Sequence, residues 1–248
     1  MTRRRHVLVA AATAASLTLA LTVADLVVER KAEEKIVEVA ECRLGDASDV
    51  TADLGDTLAG LRTVTGRVGT VHIHAGRVHR AGVDMALQAS LYGVSTDGGA
   101  TSGSASATVS YAQLGERLDG GAGGMRPGSD GTHLTLTGTA GDLGVPVTVL
   151  TDLSTTAHSV TITPAAVSLM GREVPVSALS SLPGAAQLAG KLKPRKIDMG
   201  KLPEGARLTG ARPGPEGLTL DFGLSAKDVA GANRETAATA CAPTSEKA

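Results

Sequence analysis

The sequence predicts an α+β fold, a curved antiparallel sheet wrapped on helices and preceded by an apolar N-terminal helix. Three observations predict it. Apolar residues recur at helical spacing up to Glu41, and they alternate at period two from Arg67 onward. After that, no strand–helix–strand rhythm appears, which argues against a Rossmann or TIM-barrel arrangement.

The chain opens with Arg3-Arg4-Arg5 and then runs without charge from Val7 to Ala24. As a helix this run is roughly 27 Å long, near the thickness of a hydrocarbon core. Arginines before an apolar run stay in the cytoplasm, so the remainder is expected outside. Two outcomes fit. Residues 1–25 are either a signal peptide cut after Thr22-Val23-Ala24, or a signal anchor kept across residues 7–28.

Leu26–Glu41 reads as a helix with Val28, Ala32, Ile36, Val39 and Ala40 on one stripe. Asp46–Val50 reads as a loop and Leu54–Leu61 as a short capped helix. From Arg67 the pattern is strand: Val71, Ile73 and Ala75 alternate with His72 and His74. Beyond Gly76, Met85, Leu87, Ala89 and Leu91 alternate with polar or small residues. Thr96–Ser106 is rich in Gly, Ser and Ala and reads as a loop. Ser110 then has the spacing of a helix cap for a short helix ending near Leu118. Asp119–Gly131 reads as a loop. Further strands are expected at His133–Gly138, Pro146–Leu153, Ser159–Thr163 and Val167–Leu169, with a bend at Pro164. Val174–Leu192 reads as helical around Pro183-Gly184, and Lys191–Lys201 as basic and irregular. Arg207–Ala211 and Leu218–Leu224 form a closing hairpin. Residues 26–228 make one domain, and residues 229–248 a flexible tail.

Composition narrows the function. Net charge is −1, so no nucleic-acid partner is implied. Two Tyr, one Phe and no Trp leave almost no platforms for stacking bases or sugars. The core must be aliphatic, and such a core can leave an aliphatic slot. Cys42 and Cys241 are the only cysteines. In an exported chain they predict a disulfide between the first helix and the tail; the alternative is two free thiols.

No motif carries a reaction. There is no G-x-S-x-G, no phosphate loop after a strand, and no persuasive carboxylate pair. His72 and His74 share a strand face, yet zinc would need a third ligand, and an exposed polar face is the plainer reading. The reading is therefore a non-enzyme with no catalytic residue, no cofactor and no metal. Lys191, Lys193, Arg195, Lys196 and Lys201 form the basic cluster outside the leader. They are candidates for anionic headgroups at a membrane surface, or else a solvated loop.

Several short segments resemble the actinobacterial LmeA-like envelope family, typified by lipomannan elongation factor A. They are Gly66-Arg67-Val68, Gly76-Arg77-Val78, Leu91-Tyr92-Gly93-Val94, Val109-Ser110-Tyr111-Ala112-Gln113-Leu114, Leu202-Pro203-Glu204-Gly205-Ala206-Arg207-Leu208 and Glu216-Gly217-Leu218-Thr219-Leu220. The likeness spans about Ala32 to Asp228. Where that family often has an apolar Pro-Phe-Leu-like step, this chain has Asp53-Leu54-Gly55-Asp56. The resemblance implies a TULIP-like half-module with an apolar channel, a phospholipid partner that includes inositol phospholipids, and support of lipoglycan maturation.

The residues support a lipid site independently. Candidate lining positions are Val71, Ile73, Met85, Leu87, Leu91, Val147, Val149, Val160 and Ile162, with Leu179 and Leu188 from the late helix. The function read from all this is a non-catalytic cell-envelope protein that binds, carries or presents phospholipid. Two alternatives stand beside it: a membrane-anchored structural or interaction domain with a filled core, and an envelope enzyme acting on lipid-linked glycan.

Overall fold

The computed structural model describes residues 30–42, 44–55, 66–80, 82–96, 99–118, 125–140, 145–169, 171–179, 181, 190, 192–200, 202 and 206–225. Helix α1 (residues 30–42) comes first. Ala32, Ile36 and Ala40 recur at intervals of four on its inner side, and Ala32 and Ile36 pack against Leu54, Val68 and Val71. Val39 was expected on that stripe but is 42% exposed. It sits about 100° round the helix from Ala40, and Val37 is half-buried in its place.

The strands then follow as β1 (Ala47–Leu54), β2 (Arg67–Arg80), β3 (Val83–Ser95) and β4 (Ser102–Ser110). Helix α2 (Tyr111–Leu118) leads to β5 (Arg126–Ser129), β6 (Leu134–Ala140), β7 (Val145–Thr156), β8 (Ser159–Leu169) and β9 (Arg172–Pro175). Helix α3 (Val176–Leu179), β10 (Arg195–Asp198), β11 (Ala206–Pro213) and β12 (Gly217–Ser225) complete the order.

Two antiparallel sheets result. The first runs β1-β2-β3-β4-β12-β11; the second runs β10-β8-β7-β6-β5, with β9 also paired to β8. The chain leaves the first sheet after β4, builds the whole second sheet, and returns to place β12 beside β4. The sheets meet where the Leu208 amide of β11 donates to the Ala157 carbonyl at the β7–β8 turn, at 3.0 Å. Leu114 of α2, Leu134, Val160, Ile162, Leu208, Leu218 and Leu220 fill the space between them. At the other end of the second sheet, Val147, Val149 and Val167 close over Leu179 of α3.

The fold is thus strand-dominated α+β, with two sheets where one was expected. Several elements differ from the sequence reading. Ala47–Val50 of the expected loop and Leu54, the first residue of the expected second helix, lie in β1, because Ala52 and Leu54 bury against β2 and that alternation outweighs the capping signal. Residues 56–61 of that helix lie outside the described residues. Ser102–Ser106, read as loop, is strand, held between β3 and β12. Arg126–Ser129 is strand despite Pro127, which a short edge strand tolerates. Pro164 does not split β8. It sits at a bulge, Thr151 pairing with Pro164 and Leu150 with Ala166, so that Ala165 is the extra residue. Arg172–Pro175 is strand, and only Val176–Leu179 and Gly190 of the expected Val174–Leu192 helix are helical among the described residues. Arg195–Asp198, read as irregular, pairs with β8 because Ile197 has a place in the core beside Val160.

Candidate functional site: a half-open apolar sheet face

Register alone builds the candidate site. Across the first sheet four rows of six residues face one way. They are Leu54-Val71-Leu91-Gly103-Leu224-Ala206, Ala52-Ile73-Ala89-Ala105-Phe222-Leu208, Val50-Ala75-Leu87-Ala107-Leu220-Ala211, and Ala47-Val78-Met85-Val109-Leu218-Pro213. All twenty-four are apolar or glycine. Ala75 and Val78 share this face although they are three apart, because Gly76 and Arg77 together oppose one residue of β3. That bulge flips the alternation and keeps the last row inward. Gly76 also accepts the close approach of Asp49, whose Cβ would lie 3.1 Å from a Cβ at this position.

The face is not evenly filled. At one side, Leu54, Val68, Val71, Ile73 and Leu91 pack under α1. At the other, Leu208, Leu218, Leu220 and Phe222 pack against the second sheet. Met85, Leu87, Ala89, Ala105 and Val109 belong to neither cluster among the described residues. Strand β3 is the third of six, where burial should be deepest, yet none of its residues is fully buried. Every other strand longer than four residues has at least one.

Side-chain size gives the face a trough. Strand β4 contributes Gly103, Ala105, Ala107 and Val109, between the larger residues of β3 and those of β12. A Cβ on Gly103 would come within 2.9 Å of both the Ser90 carbonyl oxygen and Leu91 Cδ2, so only glycine fits there. From Gly103 to Val109 the trough is about 20 Å long. Its far end is closed by α2. Ser110 Oγ accepts from the Gln113 amide at 3.4 Å, and the Tyr111 hydroxyl donates to the Gly214 carbonyl at 2.6 Å. Gly217 lets this corner close, since a Cβ there would meet the Val109 carbonyl.

The expected lining residues divide in two. Val71, Val147, Val149, Val160, Ile162 and Leu179 are buried, none more than 4% exposed, and are packed core. Ile73, Met85, Leu87 and Leu91 are half-buried on the rows just described. Leu188 lies outside the described residues. The sequence reading missed the β4 and β12 contributions, since Gly and Ala in a Ser-rich stretch resemble a flexible linker; the alternation of Gly103, Ala105, Ala107 and Val109 was the available signal.

Of the basic cluster, Lys193, Arg195 and Lys196 are exposed at the β10 edge of the second sheet; Lys191 and Lys201 lie outside the described residues. Cys42, at the end of α1, is not a free thiol, and Cys241 lies outside the described residues, as does the leader. Among the described residues no helix is long and apolar enough to cross a membrane. His72 and His74 point to the polar side of the first sheet, where His72 Nδ1 meets Ser90 Oγ at 2.9 Å. Among the described residues, no cluster of three or more His, Cys, Asp or Glu is arranged to hold a metal ion.

Residues 19–222 match the model of the LmeA-like phospholipid-binding family. The chain belongs to that family. No curated protein and no solved structure matched it. As a member of the LmeA-like family, the chain carries its trough, Gly103 to Val109, inside the matched segment, so the trough and the family assignment concern the same part of the molecule.

Proposed function

We propose that this chain is an extracytoplasmic phospholipid-binding protein that carries or presents lipid at the cell envelope. The observation that carries the reading is the middle of the first sheet, where Met85, Leu87, Ala89, Ala105 and Val109 stay partly open and outside both flanking clusters. An acyl chain laid there would be stabilised by roughly 0.8 kcal/mol for each methylene it buries. Membership of a phospholipid-binding family supports the same ligand. We read the protein as a carrier and not an enzyme, because these rows hold only hydrocarbon side chains, with no nucleophile, base or oxyanion donor among them. In the closed form of this reading α1 covers the face as in a TULIP-like half-module.

The basic leader and the apolar run from Val7 support export, with α1 either continuing an anchor or starting a released carrier. The exposed trio Lys193, Arg195 and Lys196 would rest on membrane phosphates. A bond from Cys42 to Cys241 would tie the tail to α1, which suits an oxidising exterior. The test is extraction of the purified full chain and mass spectrometry of the extract. Phospholipid that co-purifies and exchanges with added vesicles supports the proposal. A chain that neither carries nor exchanges lipid is a filled structural domain, and the proposal fails.

A further inference from the structure

Three features meet at one end of the first sheet, the end marked by Leu54, Leu91 and Gly103. The first is the trough. Its floor is half-buried at Gly103 and Ala105 but sealed at Ala107, which is 4% exposed, so it opens toward Gly103 and away from α2. The ends of Leu91 and Leu224, both half-buried, lean over Gly103, so the mouth is lipped by movable apolar side chains. The second feature is Tyr92. It lies one residue past Leu91, opposite Ser102, and is 44% exposed. Its backbone is fixed. The Tyr92 carbonyl accepts from both the amide and the hydroxyl of Thr101, each at 2.9 Å, and Gly93 turns the chain at φ 61°, where a Cβ would strike Thr101 Oγ1. The other two aromatic residues are used inside the fold, Tyr111 on the Gly214 carbonyl and Phe222 against the core between the sheets. The third feature is charge. Arg67 of β2 and Arg207 of β11 are exposed at this end. Helix α1 starts here too: Ala32 and Ile36 pack on Leu54, Val68 and Val71, while the Gly45 amide, donating to the Glu41 carbonyl, brings the last turn toward Ala47. Its exposed Arg30 and Lys31 therefore join the two arginines, and its carboxylates follow further along the helix.

Resting on the lipid-binding reading, we infer that this end of the first sheet is a docking surface for an anionic bilayer, and that the trough opens directly into it. A tyrosine has an apolar ring and a polar tip, which suits the depth of lipid headgroups. Arginine binds phosphate through parallel N–H donors. The four cations rest on the headgroups while Tyr92 enters between them. A hydrocarbon chain then passes from the bilayer beneath Leu91 and Leu224 to Ala105 without crossing water. The sequence agrees in direction. Only Asp25 to Glu29 separate the uncharged run Val7–Ala24 from Arg30, so a retained anchor would leave the bilayer at the same end. The opposite end differs. There α2 closes the trough, and the exposed Arg77 and Arg80 stand alongside Asp46, Asp49 and Asp84.

The test measures uptake. The full chain is mixed with vesicles of equal parts phosphatidylcholine and phosphatidylglycerol that carry a self-quenched fluorescent phospholipid, and dequenching gives the rate and the final amount of lipid taken up. Arg67→Gln with Arg207→Gln should slow uptake roughly 25-fold, about a factor of five for each arginine near an anionic surface. Tyr92→Ser should slow it several-fold. Both variants should reach the wild-type final amount, because none of the three residues lies on the apolar rows. Arg77→Gln with Arg80→Gln, at the other end, should take up lipid at the wild-type rate. A wild-type rate in either variant of the Gly103 end overturns the inference, as does equal slowing in the Arg77 and Arg80 variant. A lower final amount in a Gly103-end variant that keeps the wild-type melting point assigns its residues to the lipid site itself and overturns it too. A wild type that takes up no lipid overturns the underlying lipid-binding reading instead.

Discussion

Leu87→Ala and Val149→Ala separate ligand surface from packed core. Val149 is fully buried between β7 and its neighbours, so no ligand can bury it further. Its truncation removes two methyl groups, worth about 1.6 kcal/mol by transfer and more with the cavity left behind. In a domain of this size that lowers the melting point by roughly 4–8 °C. Lipid affinity, measured by displacement of a fluorescent phospholipid, should not change. Leu87 is half-buried and lies in the open rows. Its truncation removes three carbons, about 2.4 kcal/mol if fully buried. With half of that already realised in the ligand-free fold, about 1.2 kcal/mol remains to be gained from a lipid chain, which is roughly a sevenfold loss of affinity. The stability loss should be near half that of a fully buried leucine. If Leu87→Ala leaves lipid affinity unchanged and melts as though its site were solid core, the ligand surface assigned to β3 is wrong.

Three further outcomes follow from the same geometry. Gly103→Ala should lower the melting point by several degrees, because the new methyl would press on the Ser90 carbonyl, which can move only by shifting β3 against β4. Tyr111→Phe removes the 2.6 Å hydrogen bond to the Gly214 carbonyl and should cost about 1 kcal/mol in urea unfolding, with lipid affinity intact. Asp130 accepts the His133 and Thr132 amides at 2.6 and 2.8 Å, which holds its carboxyl down from the ordinary 3.8 to about 2. Its stabilising effect is therefore present above the unfolded value and lost as pH falls through about 2. An NMR titration of the Asp130 carboxyl should find its midpoint there, and a midpoint near 4 would mean that the turn is not formed.

Periodicity made much of this legible. The alternation from Val71 to Leu91 located β2 and β3 and the face they bury, because period-two patterning encodes orientation directly. The Ser110 cap and the β11–β12 hairpin were legible from local chemistry. Elements whose state depends on distant partners were not. Leu54 looks like helix until its row mate Val71 is known. Ser102–Ser106 has weak strand propensity and is strand only because β3 and β12 hold it on both sides. The same dependence hid the division of the candidate site. Val149 and Leu87 are both apolar positions in alternating strands, and only the layout of the second sheet decides that one is sealed and the other open. The continuity of β8 through Pro164 was hidden for a related reason, since a bulge is a property of two strands and leaves no mark on one.

On the proposed reading, the division explains how one molecule can be stable and still receptive. Its filled clusters sit at the flanks, one under α1 and the others against the second sheet, and each is built of branched aliphatic residues at low exposure. Between them β4 brings Gly103 and Ala105, which contribute little burial of their own and so cost the fold little when left partly uncovered, while its Ala107 is buried. A large side chain at Ala105 would fill the trough and stabilise the ligand-free protein, but it would remove the space that hydrocarbon needs. Small residues on a central strand otherwise weaken a sheet. Here the flanking pairs β1–β2 and β11–β12 and the docked second sheet supply the stability that β4 does not, and Met85, Leu87 and Ala89 stay half-buried where the two flanks do not reach.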